Sequence, residues 1–121
     1  MREIKFRGKL SHSGEWVIGN LIIAKNGNPY IIPSAIFEID GHHLIIDSDS
    51  PFWVIPETVG QFTGLTDKNE KEIFEGDIVR GGIYLAYEVK WDNEECGWNI
   101  GQSVKSFEIC GNIHDNPELI K

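Results

Sequence analysis

The amino-acid sequence lacks the long apolar segments that membrane insertion or secretion requires. No stretch of about 18 consecutive apolar residues occurs in it, so it contains no candidate transmembrane helix. The opening decapeptide, MREIKFRGKL, alternates charged with apolar side chains, whereas a signal peptide needs a continuous apolar core. We therefore expect a cytoplasmic protein with no membrane association.

Cysteine is also scarce, since the chain holds two, Cys96 and Cys110. A single pair of cysteines in a chain without a leader is typical of reduced thiols rather than of a disulfide framework. The residues that follow them, Gly97 and Gly111, add no spacing of the metal-binding kind. The sequence thus predicts two free thiols and no cofactor.

Positive charge is in the minority, with 11 basic against 19 acidic side chains and a net charge of −8. Residues 61–121 carry twelve of the acidic side chains. Such a surface repels phosphate backbones, so nonspecific binding to nucleic acid or to an anionic membrane is disfavoured. The start of the chain is the exception, because Arg2, Lys5, Arg7 and Lys9 accompany a single acid, Glu3.

No segment carries a helical apolar stripe longer than two turns, and the patterns that do occur favour strands. Period-2 alternation or β-branched runs separated by Gly, Pro, Asn and Asp turns indicate short strands. We place them at residues 2–10, 16–24, 30–32, 35–39, 43–46, 58–65, 71–74, 78–80, 84–91, 98–101 and 106–113.

Several local features within these segments lead to specific expectations. The run at 16–24 is apolar enough to be buried on both faces, and Gly19 within it suggests a bulge. Asp40-Gly41 suits a tight hairpin turn. Tyr87, Val89 and Trp91 share one face of a single strand. Asn116 and Pro117 mark the start of a short helical turn near the C-terminus, with Asn116 as its cap.

The predicted fold is therefore mainly β. Many short strands with close-spaced turns indicate a small barrel or sandwich, with short helical turns at most. The aromatic and aliphatic content is enough for a core without disulfides. We expect one domain over residues 1–121, with a division into subdomains 1–50 and 51–121 as the alternative.

Metal sites receive little support from the histidines and aspartates. His42 and His43 lie near Asp47 and Asp49, but adjacent strand residues point to opposite faces and the aspartates fall in a polar loop. The segment DSDS also lacks the later ligands and glycine of a calcium loop. We predict no metal site.

Catalytic residues are equally hard to find. No local signature pairs a histidine with Cys96 or Cys110. Four carboxylates within residues 57–77 could do acid–base chemistry, namely Glu57, Glu72, Glu75 and Asp77. Gly76-Asp77 is typical of a turn, however, which favours a structural role. The sequence has no glycine-rich phosphate loop followed by a helix. We expect no enzymatic activity.

One segment has the composition of a recognition surface. Trp91 and Trp98 bracket the acidic turn DNEECG, which contains Glu94 and Glu95. Aromatic side chains beside charged ones are enriched at protein interfaces, so these four residues form a candidate interaction surface. The competing interpretation, which the strand phase favours, places both tryptophans in the core.

Three parts of the sequence resemble the YopX family of phage- and prophage-encoded proteins. The central one is VIPETVGQFTGLTDKNEKEIFEGDIV at 54–79, and MREIKFRGKL with GEWVIGNLI, and FEICGNIHDNPELI, match the two ends. Members commonly carry glycine where this chain has Glu70, so we expect Asn69 to take the left-handed conformation in that turn. The resemblance implies a mainly β fold with a barrel-like unit, a setting in phage biology and no assigned activity.

Two functions of different class remain open. The first is a non-enzymatic accessory protein that binds a host or phage protein through its acidic second half and self-associates through strand edges. The second is a nucleic-acid-associated small barrel, in which Tyr84, Tyr87 and Trp91 stack on bases while Arg2, Lys5, Arg7 and Lys9 meet phosphates. The net charge opposes the second. An enzyme with a site assembled from distant strands is a third, weaker alternative.

Overall fold

A computed structural model describes residues 3–33, 39–40, 43–44, 52–82, 85–101 and 105–120, with the backbone alone at 39–40 and 43–44. It contains twelve short strands and short 3₁₀ turns in these parts of the chain. The chain forms two compact units, one of Ile4–Gly60 and the other of Gln61–Lys121 with Met1–Glu3, each in its described residues.

The first unit begins with an antiparallel meander of three strands. The strands are β1 (Phe6–Lys9), β2 (Trp16–Ile23) and β3 (Pro29–Ile32), with β2 in the middle. Tight turns connect them, and Gly27 at φ 91° supplies the left-handed residue of the second.

Residues 53–55 close this meander into a ring. Val54 bridges Leu10 at the end of β1, and Trp53 bridges Tyr30 in β3. The Ile55 N–H donates to the Lys9 carbonyl at 2.8 Å, and the Val54 N–H donates to the Pro29 carbonyl at 3.2 Å. Since both edges of the segment are paired, it closes the three strands of the meander into a small barrel.

The barrel interior explains the glycines of its strands. Ile31 and Val54 are fully buried, and a Cβ on Gly8 would lie within 3.0 Å of Ile31 Cδ1. Gly19 does not mark a bulge in the pairing of β1 with β2, because it faces Phe6 at the end of a register that contains no shift. A Cβ there would come within 2.3 Å of the Ile32 carbonyl oxygen, so close approach of the backbone requires glycine.

The prediction that the strand at 16–24, here β2, is buried on both faces was wrong. Ile18 is 45% exposed and Ile23 is 58% exposed, so this strand presents part of its apolar surface to solvent. The hairpin predicted around Asp40-Gly41 agrees with the pairing of β4 (Ile39–Asp40) with β5 (His43–Leu44), although Asp40 lies in the strand rather than in the turn.

The second unit starts with an antiparallel pair. A 3₁₀ turn at Pro56–Thr58 precedes β6 (Gly60–Thr66), which pairs with β7 (Glu72–Phe74). A three-stranded sheet follows, in which β8 (Asp77–Arg80) lies between β9 (Tyr87–Glu88) and β12 (Glu108–Asn112). The remaining strands, β10 (Trp91–Asp92) and β11 (Gly97–Trp98), form a separate hairpin.

The core of this unit collects residues from every part of it. Ile73, Val79, Val89, Ile100 and Phe107 pack together, and Leu65, Tyr87, Trp98 and Ile109 pack around them. Tyr87 and Val89, which the alternating pattern placed on one strand face, are among these residues, because strands place every second side chain on the same face.

The prediction of a single strand over residues 84–91 was wrong, because β9 ends at Glu88 and β10 starts at Trp91. The Lys90 N–H donates to Asn99 Oδ1 at 2.9 Å, so a side chain takes the place of a backbone partner between the two strands. The chain therefore leaves the three-stranded sheet at this point and continues into the hairpin.

Asp67, 3% exposed, connects separate elements of the second unit. Its Oδ1 accepts the N–H groups of Asn69 at 2.8 Å and Lys71 at 2.9 Å, which shapes the turn between β6 and β7. Its Oδ2 accepts the Ile109 N–H of β12 at 3.0 Å. One carboxylate thus joins a local turn to a strand 42 residues further along the chain.

The pKa of Asp67 reflects two opposing effects. Burial raises it, while the N–H groups of Ile109, Lys71 and Asn69 and the charge of Lys71 lower it, and the net result is a pKa below the usual value of 3.8. A carboxylate with a lowered pKa stabilises the fold above its unfolded pKa, and the contribution disappears as the pH falls through the folded pKa.

The same turn contains an unusual backbone conformation. Glu70 adopts the left-handed region at φ 64°, which corrects the expectation that Asn69 would do so. The Glu70 N–H donates to the Asp67 carbonyl at 3.0 Å, and the Asp67 side chain fixes Asn69 and Lys71 on either side. The carboxylate therefore imposes the conformation on the residue between its two partners.

The C-terminal helical turn is present as a 3₁₀ turn at Pro117–Ile120. Asn116 does not serve as its predicted side-chain cap, since Asn116 Oδ1 accepts the Asn112 N–H at 3.3 Å. None of the helical turns in the described ranges is long and apolar enough to cross a membrane.

The mainly β fold with short helical turns is confirmed. The single domain over 1–121, and its alternative division at residue 50, stay predictions. The two compact units divide at Gly60, because residues 53–55 belong to the ring of the first.

Replacing Asp67 by asparagine is expected to destabilise the protein by about 2–3 kcal/mol near neutral pH, because an amide cannot accept hydrogen bonds on both sides. The measurement is urea unfolding across pH. The difference from the wild type should be largest above about pH 4 and shrink at lower pH, as protonation removes the wild-type advantage. Asp92→Asn is the matched control, because Asp92 of strand β10 accepts two N–H groups through Oδ1 alone and the amide oxygen of asparagine can keep both; it should cost less than about 0.5 kcal/mol. Equal losses in the two variants would contradict the role of Asp67.

Replacing Glu70 by glycine is expected to stabilise the protein by roughly 0.5–1 kcal/mol, because glycine adopts a positive φ without the strain of a Cβ. Thermal unfolding measures the change. Asn69→Gly is the control, and it should be neutral or destabilising since Asn69 does not have a positive φ. The conformational account fails if Asn69→Gly is the stabilising change.

Candidate interaction site

The four residues of the candidate surface lie on the hairpin of β10 and β11. Trp91 pairs directly with Trp98, and Asp92 pairs with Gly97, so residues 93–96 form the turn. Residues that face each other in an antiparallel pair project from the same side of the ribbon. We call this hairpin, residues 91–98, the tryptophan hairpin.

The turn of the tryptophan hairpin is shaped by its own side chains. Asp92 Oδ1 accepts the N–H groups of Glu94 at 2.9 Å and Glu95 at 3.2 Å. Cys96 completes the turn at φ 53°, and its thiol donates to the Asn93 carbonyl at 3.6 Å. A short polar side chain that caps its own turn makes the loop compact.

The base of the tryptophan hairpin is held by Asn99. Its Oδ1 accepts the Lys90 N–H, and its Nδ2 donates to the Glu88 carbonyl at 2.8 Å. The Asn99 N–H also donates to the Lys90 carbonyl at 3.1 Å. These contacts connect the hairpin to β9 and fix the direction in which it leaves the sheet.

The two tryptophans differ in burial. Their rings meet edge to face, with centroids 5.3 Å apart and planes at 86°. Trp98 is half-buried and packs against the core of the second unit, whereas Trp91 is 46% exposed. The competing interpretation, which places both tryptophans in the core, is therefore wrong for Trp91, because the core ends at Trp98.

Charged residues lie close to Trp91 in the sequence. Glu94 and Glu95 are both exposed in the turn, and the backbone N–H groups rather than the side chains of these residues make the turn contacts. Lys90, also exposed, precedes Trp91. The tryptophan hairpin thus combines an aromatic face with acidic side chains at its tip.

The thiols occupy different environments. Both are free, with Cys96 exposed in the turn and Cys110 half-buried in β12, where its thiol donates to the Ile78 carbonyl at 3.4 Å. The candidate carboxylates are spread along the chain. Glu57 lies in the Pro56–Thr58 turn of the first unit, while Glu72 and Glu75 lie in β7 and the turn after it.

Asp77, at 2% exposure, has a structural role. Its Oδ2 accepts the Phe74 N–H at 2.8 Å and closes the turn through Gly76, which has φ 93°. This is the turn that Gly76-Asp77 predicted.

Among the described residues no group of three or more His, Cys, Asp or Glu could hold a metal ion. His42, Asp47 and Asp49 lie outside those residues, and His43 is described by its backbone alone.

The residues proposed for nucleic-acid binding lie in varied settings, and Arg2 and Tyr84 fall outside the described ranges. Tyr87 is half-buried and edge-on to Phe107 at 6.1 Å, and burial raises the pKa of its phenol. In the first unit, the Arg7 guanidinium lies 4.7 Å and the Lys9 ammonium 5.5 Å from the ring centroid of Trp16. Sequence reasoning missed this contact, although Arg7 and Lys9 are two residues apart on one strand face.

Comparisons with known proteins agree with the fold. The chain is similar to protein EF1440 from Enterococcus faecalis, whose crystal structure matches with a TM-score of 0.60 and 24% sequence identity over 100% of both chains. No curated protein matches the chain. At this level of identity the structural likeness concerns the fold.

A family model gives the more specific result. The model described as YopX protein matches residues 5–121, which is nearly the whole chain and includes β1, the turn at Asp67 and the tryptophan hairpin. The resemblance read from the central and terminal motifs is confirmed, and the chain belongs to the YopX family.

Proposed function

We propose that the protein is a non-enzymatic interaction module that binds a host or phage protein through the tryptophan hairpin. The observation that carries the proposal is the exposure of Trp91 beside the half-buried Trp98. A large aromatic side chain on a fixed hairpin offers apolar area at a low cost in conformational entropy, which is the property of interface anchors.

The surroundings of Trp91 support a prepared surface. Asn99 fixes the base of the hairpin, Asp92 shapes its turn, and Trp98 holds the ring from the side. Little order therefore has to be gained when a partner binds, which lowers the entropic cost of association. Acidic side chains at the tip add long-range attraction for a partner of opposite charge.

The absence of enzymatic activity is part of this proposal. Asp77 is used in a turn and Asp67 in three backbone contacts, so these buried carboxylates serve the fold. A setting in phage or prophage biology, a cytoplasmic location and self-association through strand edges complete the proposal and rest on the sequence analysis.

Affinity capture from a bacterial host lysate tests the proposal with three forms of the protein. The wild type is expected to retain a specific protein that Trp91→Ala loses, because the substitution removes the exposed ring. Leu85→Ala removes another exposed apolar side chain of the second unit, 89% exposed, and should retain that protein as the matched control. Thermal unfolding shows whether each variant is folded.

Equal capture by the wild type and Trp91→Ala would contradict the role of the hairpin. Binding to nucleic acid is examined with the same proteins by fluorescence anisotropy of single- and double-stranded oligonucleotides. Salt-sensitive binding of these would favour the alternative of a nucleic-acid-associated barrel.

A further inference from the structure

The face of the tryptophan hairpin that carries Trp91 continues the buried face of the second unit. Val89 and Ile100, which flank the hairpin in the sequence, are core residues, and Trp98 packs against the cluster that contains them. Trp91 pairs with Trp98 across the hairpin and contacts its ring. The exposed ring is thus the outer end of an apolar row, and a partner side chain could extend that row.

The charge around Trp91 selects the chemistry of that side chain. Asp92 of β10 and Glu94 and Glu95 of the turn follow it in the sequence, and residues 61–121 carry twelve acidic against six basic side chains. An acidic partner would be repelled, and a purely apolar one would leave the exposed carboxylates of Glu94 and Glu95 without compensation. A cation on an apolar stem suits both the ring and the charge.

The protein already shows this combination in its first unit. There the side chains of Arg7 and Lys9 lie over the ring of Trp16, also a tryptophan of a strand in an antiparallel pair. Among the described residues the ring contact of Trp91 is with Trp98, so a partner would supply the cation for the same geometry at Trp91.

We infer that the Trp91 face of the tryptophan hairpin binds an arginine- or lysine-bearing segment of a partner protein, with the cation over the Trp91 ring and the acidic turn alongside. This inference rests on the proposed function and specifies the class of its partner.

The test is a titration with a synthetic peptide of alternating arginine and serine, followed by NMR of the tryptophan indole N–H signals. Trp91→Phe identifies the Trp91 signal. That signal is expected to shift on addition of the peptide, and a peptide with neutral citrulline in place of arginine should leave it unchanged. Raising the salt from about 20 to 200 mM should weaken binding several-fold, because screening reduces attraction between exposed charges.

Variants separate the ring from the charge. Trp91→Ala should weaken binding by about 2- to 30-fold, the range of cation–π interactions, and Trp91→Phe should weaken it less. The double variant Glu94→Gln/Glu95→Gln should bind more weakly with a smaller salt dependence. Glu118→Gln, an exposed acid in the C-terminal 3₁₀ turn, is the control and should bind as the wild type does.

Equal binding of the arginine and citrulline peptides, or binding that Trp91→Ala leaves unchanged, would overturn the inference. If capture from lysate depends on Trp91 while the arginine peptide does not bind, the inference fails and the proposed function stands. If the peptide binds at Trp91 while capture is unaffected by Trp91→Ala, the inference stands and the proposed function fails.

Discussion

The carboxylate of Asp67 is the interaction on which the second unit depends. It accepts backbone N–H groups from Asn69 and Lys71 in the turn between β6 and β7, and from Ile109 in β12. The side chain of Asp67 therefore connects this turn to β12. The cost of burying a charge is offset because both oxygens have donors. β12 in turn pairs with β8, which pairs with β9, the strand to which Asn99 connects the hairpin.

The tryptophan hairpin depends on a second polar side chain. Asn99 Oδ1 accepts the Lys90 N–H, and Asn99 Nδ2 donates to the Glu88 carbonyl. These two contacts lie where β9 ends and the hairpin of β10 and β11 begins. The aromatic row from the core continues onto this hairpin, with Trp98 packed and Trp91 exposed. Polar contacts of Asn99 thus hold the hairpin that exposes the apolar side chain of Trp91 to solvent. This exposure is the physical basis for the binding role that we propose for Trp91.

Local patterns predicted most of the described strands, the turn at Gly76-Asp77 and the C-terminal turn, because each depends on neighbouring residues. They could not predict contacts between remote segments. The Asp67 turn is local, but its bond to Ile109 is not, and Gly19 is explained by the carbonyl of Ile32. Trp91 and Val89 share a strand phase, so periodicity placed both in the core. The position at which the core ends depends on Asn99, and no pattern in the sequence marks it.

We propose that Trp91 is the tryptophan through which the protein meets its partners. Fluorine NMR of protein labelled with 5-fluorotryptophan tests it directly, since the four tryptophans give separate signals that single Trp→Phe variants assign. In host lysate the Trp91 signal should shift or broaden relative to buffer, while the signals of Trp16 and Trp53 stay unchanged. A change confined to Trp16 or Trp53, with Trp91 unaffected, would contradict this role of Trp91.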